Sequence, residues 1–432
     1  MVVRKVRALL VVLFSVALVA AGFQQMALSA PAPAPAPAPA PGDVGTQDVD
    51  EGELLRVGGS SYPRLVRLEN SGDANGRVLS SMTTYRDNAG FAAISESRDD
   101  GKTFQPLSEI HDPAGENTKG MCCSTLYELP QQVGDMPAGT LLWAGTAGIG
   151  ADEEERQASI RVWRSDDHGK TWSYLSDMVQ APVGPGVWEP EFTVSEQGDL
   201  VAFYSDDGDP EHDQKLMQVR SSDGRNWTDA KEMLKNDEFT VRPGMSGVRK
   251  LPDGTYVMVY EVCNYDPVHT CTIWIRKSSD GWDWGDPKDL GTEIVSDTGG
   301  QPLGTPTIAL APGPKSNGRL LLAYQMLGGD NGGWAPGNGK TVMVNENPDD
   351  LDGPWKEIPA PVQISYNQGS VCRNFSPSLL PTSDGKSMIH VTTDFEHYIG
   401  GPCEAFYGVG PIGDDAAAAK SAPRPMDTRP GR

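Results

Sequence analysis

A short turn recurs along this chain and leaves few folds open to it. Ser97-Arg98-Asp99-Asp100-Gly101-Lys102-Thr103-Phe104 and Ser165-Asp166-Asp167-His168-Gly169-Lys170-Thr171-Trp172 agree at every key position. Two shorter versions follow, Ser221-Ser222-Asp223-Gly224-Arg225-Asn226-Trp227 and Ser278-Ser279-Asp280-Gly281-Trp282-Asp283-Trp284, and a degenerate fifth falls in residues 345–355. These are Asp-box turns. The Asp accepts from backbone N–H groups inside the turn, Gly supplies a backbone angle that other residues avoid, and the aromatic plugs between neighbouring sheets. Their role is structural. A calcium loop would need more acidic positions and a closing bidentate Glu, which the turns lack.

In step with the turns runs a second repeat: an apolar strand, a turn, and another apolar strand. Leu65, Val66 and Leu68 precede Val78 and Leu79, and Phe192 to Val194 precede the run from Leu200 to Phe203. The same pattern returns around Leu126 and Leu142, Val248 and Val259, Ile308 and Leu321, and Leu379 and Ile389. That makes six hairpins, spaced to suit four strands each, with no useful helical periodicity between them. The roughly 390 residues after the N-terminal spacer would suggest two or three domains by length, but an internal repeat overrides that expectation. The predicted fold is all-β: a six-bladed β-propeller over residues 56–412, with four-stranded antiparallel blades closed in a ring that protects the sheet edges.

The ends have their own chemistry. Arg4, Lys5 and Arg7 precede an almost wholly apolar run over residues 8–23, followed by the small residues Ala27, Ser29 and Ala30. Residues 1–30 thus read as a signal peptide; an uncleaved anchor is the competing reading, but the run falls short of the roughly 20 residues a span needs. Residues 31–55 form an Ala/Pro-rich linker, stiffened by polyproline geometry. Residues 413–432 read as a disordered tail. The expectation is a secreted, extracellular monomer with no stable membrane insertion after cleavage. A net charge of −23 argues against a nucleic-acid partner.

Six cysteines in an exported chain read as disulfides. Cys263 with Cys271 and Cys372 with Cys403 are plausible pairs, whereas the state of adjacent Cys122 and Cys123 stays open. Six scattered histidines show no metal spacing.

In a propeller, the beginning of each first strand and the end of each second strand share one face, and the Asp-box turns lie on the other. Charged and aromatic residues at the first kind of position should therefore ring one pocket: Tyr62, Arg64, Trp188, Glu189, Glu191, Tyr204, Asp206, Asp207, Arg242, Glu261, Arg373 and Asp394. Glycosidic cleavage needs paired carboxylates, and Glu189 and Glu261 are the favoured pair because apolar and aromatic neighbours would exclude water and spread their pKa values. Asp206, Asp207 and Asp394 are reserves. Arg64, Arg242 and Arg373 either donate to substrate or pair with Glu189, Glu261 or Asp394.

Several of these segments together resemble family 93 of the glycoside hydrolases. They are Ser61-Tyr62-Pro63-Arg64, the stretch from Leu126 to Leu142, Trp188-Glu189-Pro190, Arg242 to Val248 with Met258-Val259-Tyr260-Glu261, and Phe375 to Leu380. The resemblance implies a retaining, exo-acting α-L-arabinanase that releases arabinobiose from α-1,5-arabinan. It places the nucleophile at Glu189 and the acid/base at Glu261. The shared face supplies the expected sugar-binding residues, Tyr62, Arg64, Trp188, Tyr204, Asp206, Arg242, Arg373 and Asp394. No metal or organic cofactor is implied. Exo-α-sialidases look similar in fold and turns, and there the three arginines would clamp a substrate carboxylate. A non-catalytic glycan-binding propeller is the third reading.

Overall fold

The computed structural model describes residues 49–50, 52–87, 89–116, 119–150, 153–364, 370–395 and 402–413. The signal peptide and nearly all of the linker and tail predicted from sequence lie outside these residues.

Six antiparallel sheets follow one another along the chain. Their innermost strands are Ser60–Arg67, Met121–Glu128, Val187–Val194, Arg242–Lys250, Thr307–Lys315 and Ser378–Pro381. The second strands, such as Leu200–Asp206 and Tyr256–Cys263, are apolar at successive positions because both of their faces are covered. Alternate side chains go to opposite neighbours. In blade three, Val201 and Phe203 pack towards blade four, while Ala202 and Tyr204 pack towards blade two. One large apolar cluster fills each of the six junctions, including that between blades six and one, where Leu65 and Val78 meet Ile389, Val391 and Tyr407. The ring is closed, as the repeat predicts.

Closure has a second component. The last sheet is completed from the other end of the chain: Glu53–Arg56 pairs with Cys403–Pro411 as the outermost strand of blade six. Residues 53–55, read from sequence as linker, are therefore part of the propeller. Four residues are too few to show a strand's alternation, which had masked them.

The recurring turns lie between third and fourth strands. Asp167 accepts from the Thr171 backbone N–H at 2.9 Å and the Thr171 hydroxyl at 2.7 Å, and Ser165 Oγ accepts from Gly169 N–H at 2.9 Å. Asp99 and Thr103 repeat this arrangement. Gly169 has a φ of 83°, and a Cβ there would sit 3.0 Å from Leu79 of blade one. The turn must carry glycine because it closes against the adjacent blade.

Blade five departs from the simple repeat. Its segment Met326–Gly328 pairs with Gln301–Leu303, which in turn pairs with blade four, and His269 Nε2 lies 3.0 Å from Gly329 O. The Gly-rich stretch after it is thereby seated on the neighbouring blade. All six cysteines are bridged, as Cys122–Cys123, Cys263–Cys271 and Cys372–Cys403.

Candidate active site

Each innermost strand begins with a kink. Blades one to four carry β-bulges at Ser61/Arg64, Cys122/Thr125, Trp188/Glu191 and Gly244/Gly247. At or beside the kinks, Tyr62, Cys123, Glu189, Met245, Thr305 and Ser376 have left-handed φ between 46° and 60°. Proline follows in four of the six cases, at 63, 190, 306 and 377. Such backbone is costly for residues with side chains and persists only where packing imposes it. Here it turns one side chain or one N–H per blade towards the same end of the axis.

Glu189 and Glu261 meet at that end. Both are half-buried, at the open end of their strands. Glu189 accepts from Ser205 Oγ at 2.8 Å and from the Tyr62 hydroxyl at 3.4 Å, and Ser205 itself accepts from Met245 N–H at 3.3 Å. Tyr62 comes from blade one and Glu189 from blade three, so their contact crosses the axis. Glu261 lies opposite Gly244 in register and faces blade five, where Thr305 N–H donates to its Oε2 at 2.6 Å. The Glu261 carboxylate also lies within 4.8 Å of both sulfurs of the Cys263–Cys271 bridge. Because those sulfurs are bonded to each other, they do not form a metal-ligand set with it.

The two carboxyls are held differently. Burial, then the charge of Glu189, raises Glu261 to about 7. Burial also raises Glu189, but Ser205, Tyr62 and the charge of Arg64 all favour its ionised form. One pocket thus holds a carboxyl that keeps its proton near neutrality beside one surrounded by hydrogen-bond donors.

The other predicted residues divide. Trp188 is half-buried beside the pair and donates from Nε1 to Asp207 at 3.0 Å. Asp206 caps its own loop, accepting from Gly208 N–H at 2.8 Å, and burial raises its carboxyl. Arg242 is half-exposed at the rim. It is ion-paired with Asp213 at 2.8 Å and donates to Gln214 at 2.6 Å.

Four of the predicted binding residues do not present themselves to that pocket. Tyr204 is 1% exposed within the cluster between blades two and three, since strand alternation sends it away from Ser205. Arg373 and Asp394 form a buried ion pair at 3.1 Å, which takes up both charges inside blade six. Arg64 donates to the carbonyls of Pro63 at 2.8 Å and Ser376 at 3.2 Å. It lines a separate axial cavity of about 420 Å³ with Glu191, Thr125 and Arg249, a space that includes neither Glu189 nor Glu261. The sequence reading missed Ser205, Gln214 and the Thr305 N–H. Only the left-handed residue before proline at 305 offered a signal, because it repeats the pattern at Tyr62 and Glu189.

Comparison with solved structures fits this picture. The chain superposes on the Penicillium chrysogenum α-L-arabinanase, determined with arabinobiose, with a TM-score of 0.63 and 26% identity over 81% of this chain and 92% of that one. The family 93 α-L-arabinofuranosidase of Fusarium graminearum, also determined with arabinobiose, gives a TM-score of 0.67 at 23% identity, covering 84% and 98%. A Hadza microbial sialidase shares the fold more distantly, with a TM-score of 0.50 and 12% identity over 84% and 68%. No protein-family model and no curated protein sequence matches the chain. Fold and site together define a glycoside-hydrolase propeller. Its nearer structural neighbours are arabinanases and arabinofuranosidases of family 93.

Proposed function

We propose that this protein is a retaining, exo-acting glycoside hydrolase that releases arabinobiose from α-1,5-arabinan. The observation that carries the reading is the unequal pair of half-buried carboxyls, Glu189 and Glu261, at one end of the propeller axis. Glu261, protonated up to about pH 7, gives its proton to the leaving glycosidic oxygen. A carboxylate oxygen of Glu189, aimed by Ser205 and Tyr62, bonds to the anomeric carbon as the C–O bond breaks. Glu261, now ionised, takes a proton from water. The water oxygen then attacks the same carbon and frees Glu189, so the sugar configuration is retained after two displacements.

The neighbours' arabinobiose complexes support the choice of glycan, and the buried pairing of Arg373 with Asp394 weakens the case for a three-arginine carboxylate clamp. The leader-like first residues support action outside the cell. The test is to incubate the protein with linear arabinan and with a sialyl conjugate, resolve the products, and follow the anomer first formed by NMR. Arabinobiose released with retained configuration is the expected result, and it should vanish in Glu189→Gln. Free sialic acid from the conjugate would overturn the reading.

A further inference from the structure

The kinked strand beginnings assign a use to the Cys122–Cys123 pair. In blades one, three, four and five the left-handed residue serves the carboxyl pair. Tyr62 donates to Glu189, Glu189 is one of the pair, Met245 N–H holds Ser205, and Thr305 N–H holds Glu261. In blade two that position is Cys123, with φ of 60°, bonded to Cys122 beside it. Both sulfurs pack in one cluster with Tyr62, Met245, Trp188 and Phe375. Cys123 is buried and Cys122 half-buried, as is Trp188.

Stabilisation does not account for this bridge. A disulfide acts mainly by closing a loop in the unfolded chain, and the effect grows with loop length. Cys263–Cys271 and Cys372–Cys403 close separations of 8 and 31 residues, whereas Cys122–Cys123 closes a separation of 1. Bonding the two sulfurs does remove two thiol groups and leave a compact, polarisable, apolar surface beside the nucleophile.

We propose that the Cys122–Cys123 disulfide is the apolar platform of the pocket, against which the carbon-bound hydrogens of the sugar held at Glu189 pack. This rests on the glycosidase reading of the pocket. It also gives a basis for selection: a neutral pentose can lie on sulfur, whereas a carboxylated sugar would have to bury its charge against a surface with no donor.

The test uses full-length Glu189→Gln protein, which cannot turn over, titrated calorimetrically with arabinobiose, xylobiose, galactobiose and N-acetylneuraminic acid. It is repeated after adding Cys122→Ala and Cys123→Gly, glycine being chosen to keep the left-handed turn. Arabinobiose is expected to bind, and the added substitutions to weaken it at least tenfold while Tm moves by no more than a few degrees. Should another neutral sugar bind instead and be weakened likewise, the platform stands and the arabinan reading falls. Binding unchanged within twofold overturns the platform alone. No binding of any sugar overturns both. If the Ala/Gly form does not fold, Cys122→Ser with Cys123→Asn supplies the same comparison, since Asn tolerates this backbone region.

Discussion

Replacing Glu261 by Gln should stabilise the protein in alkali while disabling it. The folded-state carboxyl titrates at about 7 against an ordinary 4.5, because burial and the charge of Glu189 oppose its ionisation. The folded form therefore binds this proton more tightly than the unfolded form. The resulting stability is fully present below about pH 4.5 and is lost as pH rises through about 7. Between pH 4.5 and 8.5 the loss amounts to about 3 kcal/mol, at about 1.4 kcal/mol per tenfold change in proton binding. Glutamine does not titrate and escapes it. With an unfolding entropy of about 2.1 cal/mol/K per residue, a domain of this size shifts in Tm by roughly 1 to 1.5 °C per kcal/mol. The Tm of Glu261→Gln minus that of the parent should thus grow by about 4 °C from pH 4.5 to pH 8.5, measured by scanning calorimetry in matched ionic strength. A difference that stays within 1 °C across this range would refute the claim that desolvation and the charge of Glu189 raise the Glu261 carboxyl.

Three further outcomes follow from the geometry. Since Glu261 must hold its proton, kcat/KM on arabinan should fall about tenfold per pH unit above about 7 and show an acid limb where Glu189 protonates; a flat profile from pH 6 to 9 would contradict the acid role of Glu261. Gly244→Ala would place a Cβ 2.4 Å from Gln214 Nε2 and 3.1 Å from Ser205 Oγ, disturbing the hydroxyl that aims Glu189. Steady-state kinetics should show kcat lowered by about ten- to a hundredfold, in the range of a lost positioning contact. Arg373→Met removes the basic partner of an Asp394 side chain that is 0% exposed, and should cost about 3–5 kcal/mol of stability in urea unfolding, with kcat of the folded fraction little changed.

The ring was legible in the sequence because its signals are local. Serine, Asp, Gly and an aromatic within eight residues specify a turn without reference to the rest of the chain, and six apolar hairpins in step with such turns imply circular stacking. The face carrying the glutamates followed from strand direction alone. What escaped is decided between blades. Ser205 and Tyr204 are adjacent in one strand, yet one turns towards blade four and the other into the core with blade two, a parity that charge and aromaticity do not reveal. Arg373 looked like a substrate ligand because its partner, Asp394, is brought beside it only by the fold. The Thr305 N–H, a backbone group, has no side-chain signature. Strand Glu53–Arg56 was hidden because it is only four residues long and its partner lies at the far end of the chain.

That strand also orders events in time. Glu53–Arg56 leaves the ribosome before any other strand of the six blades, yet the segment it must bond, Cys403–Pro411, is made last. A chain interrupted anywhere before residue 405 leaves this seam open. Removing either strand leaves blade six with an unpaired edge, so two segments far apart in the sequence act as the halves of a single clasp.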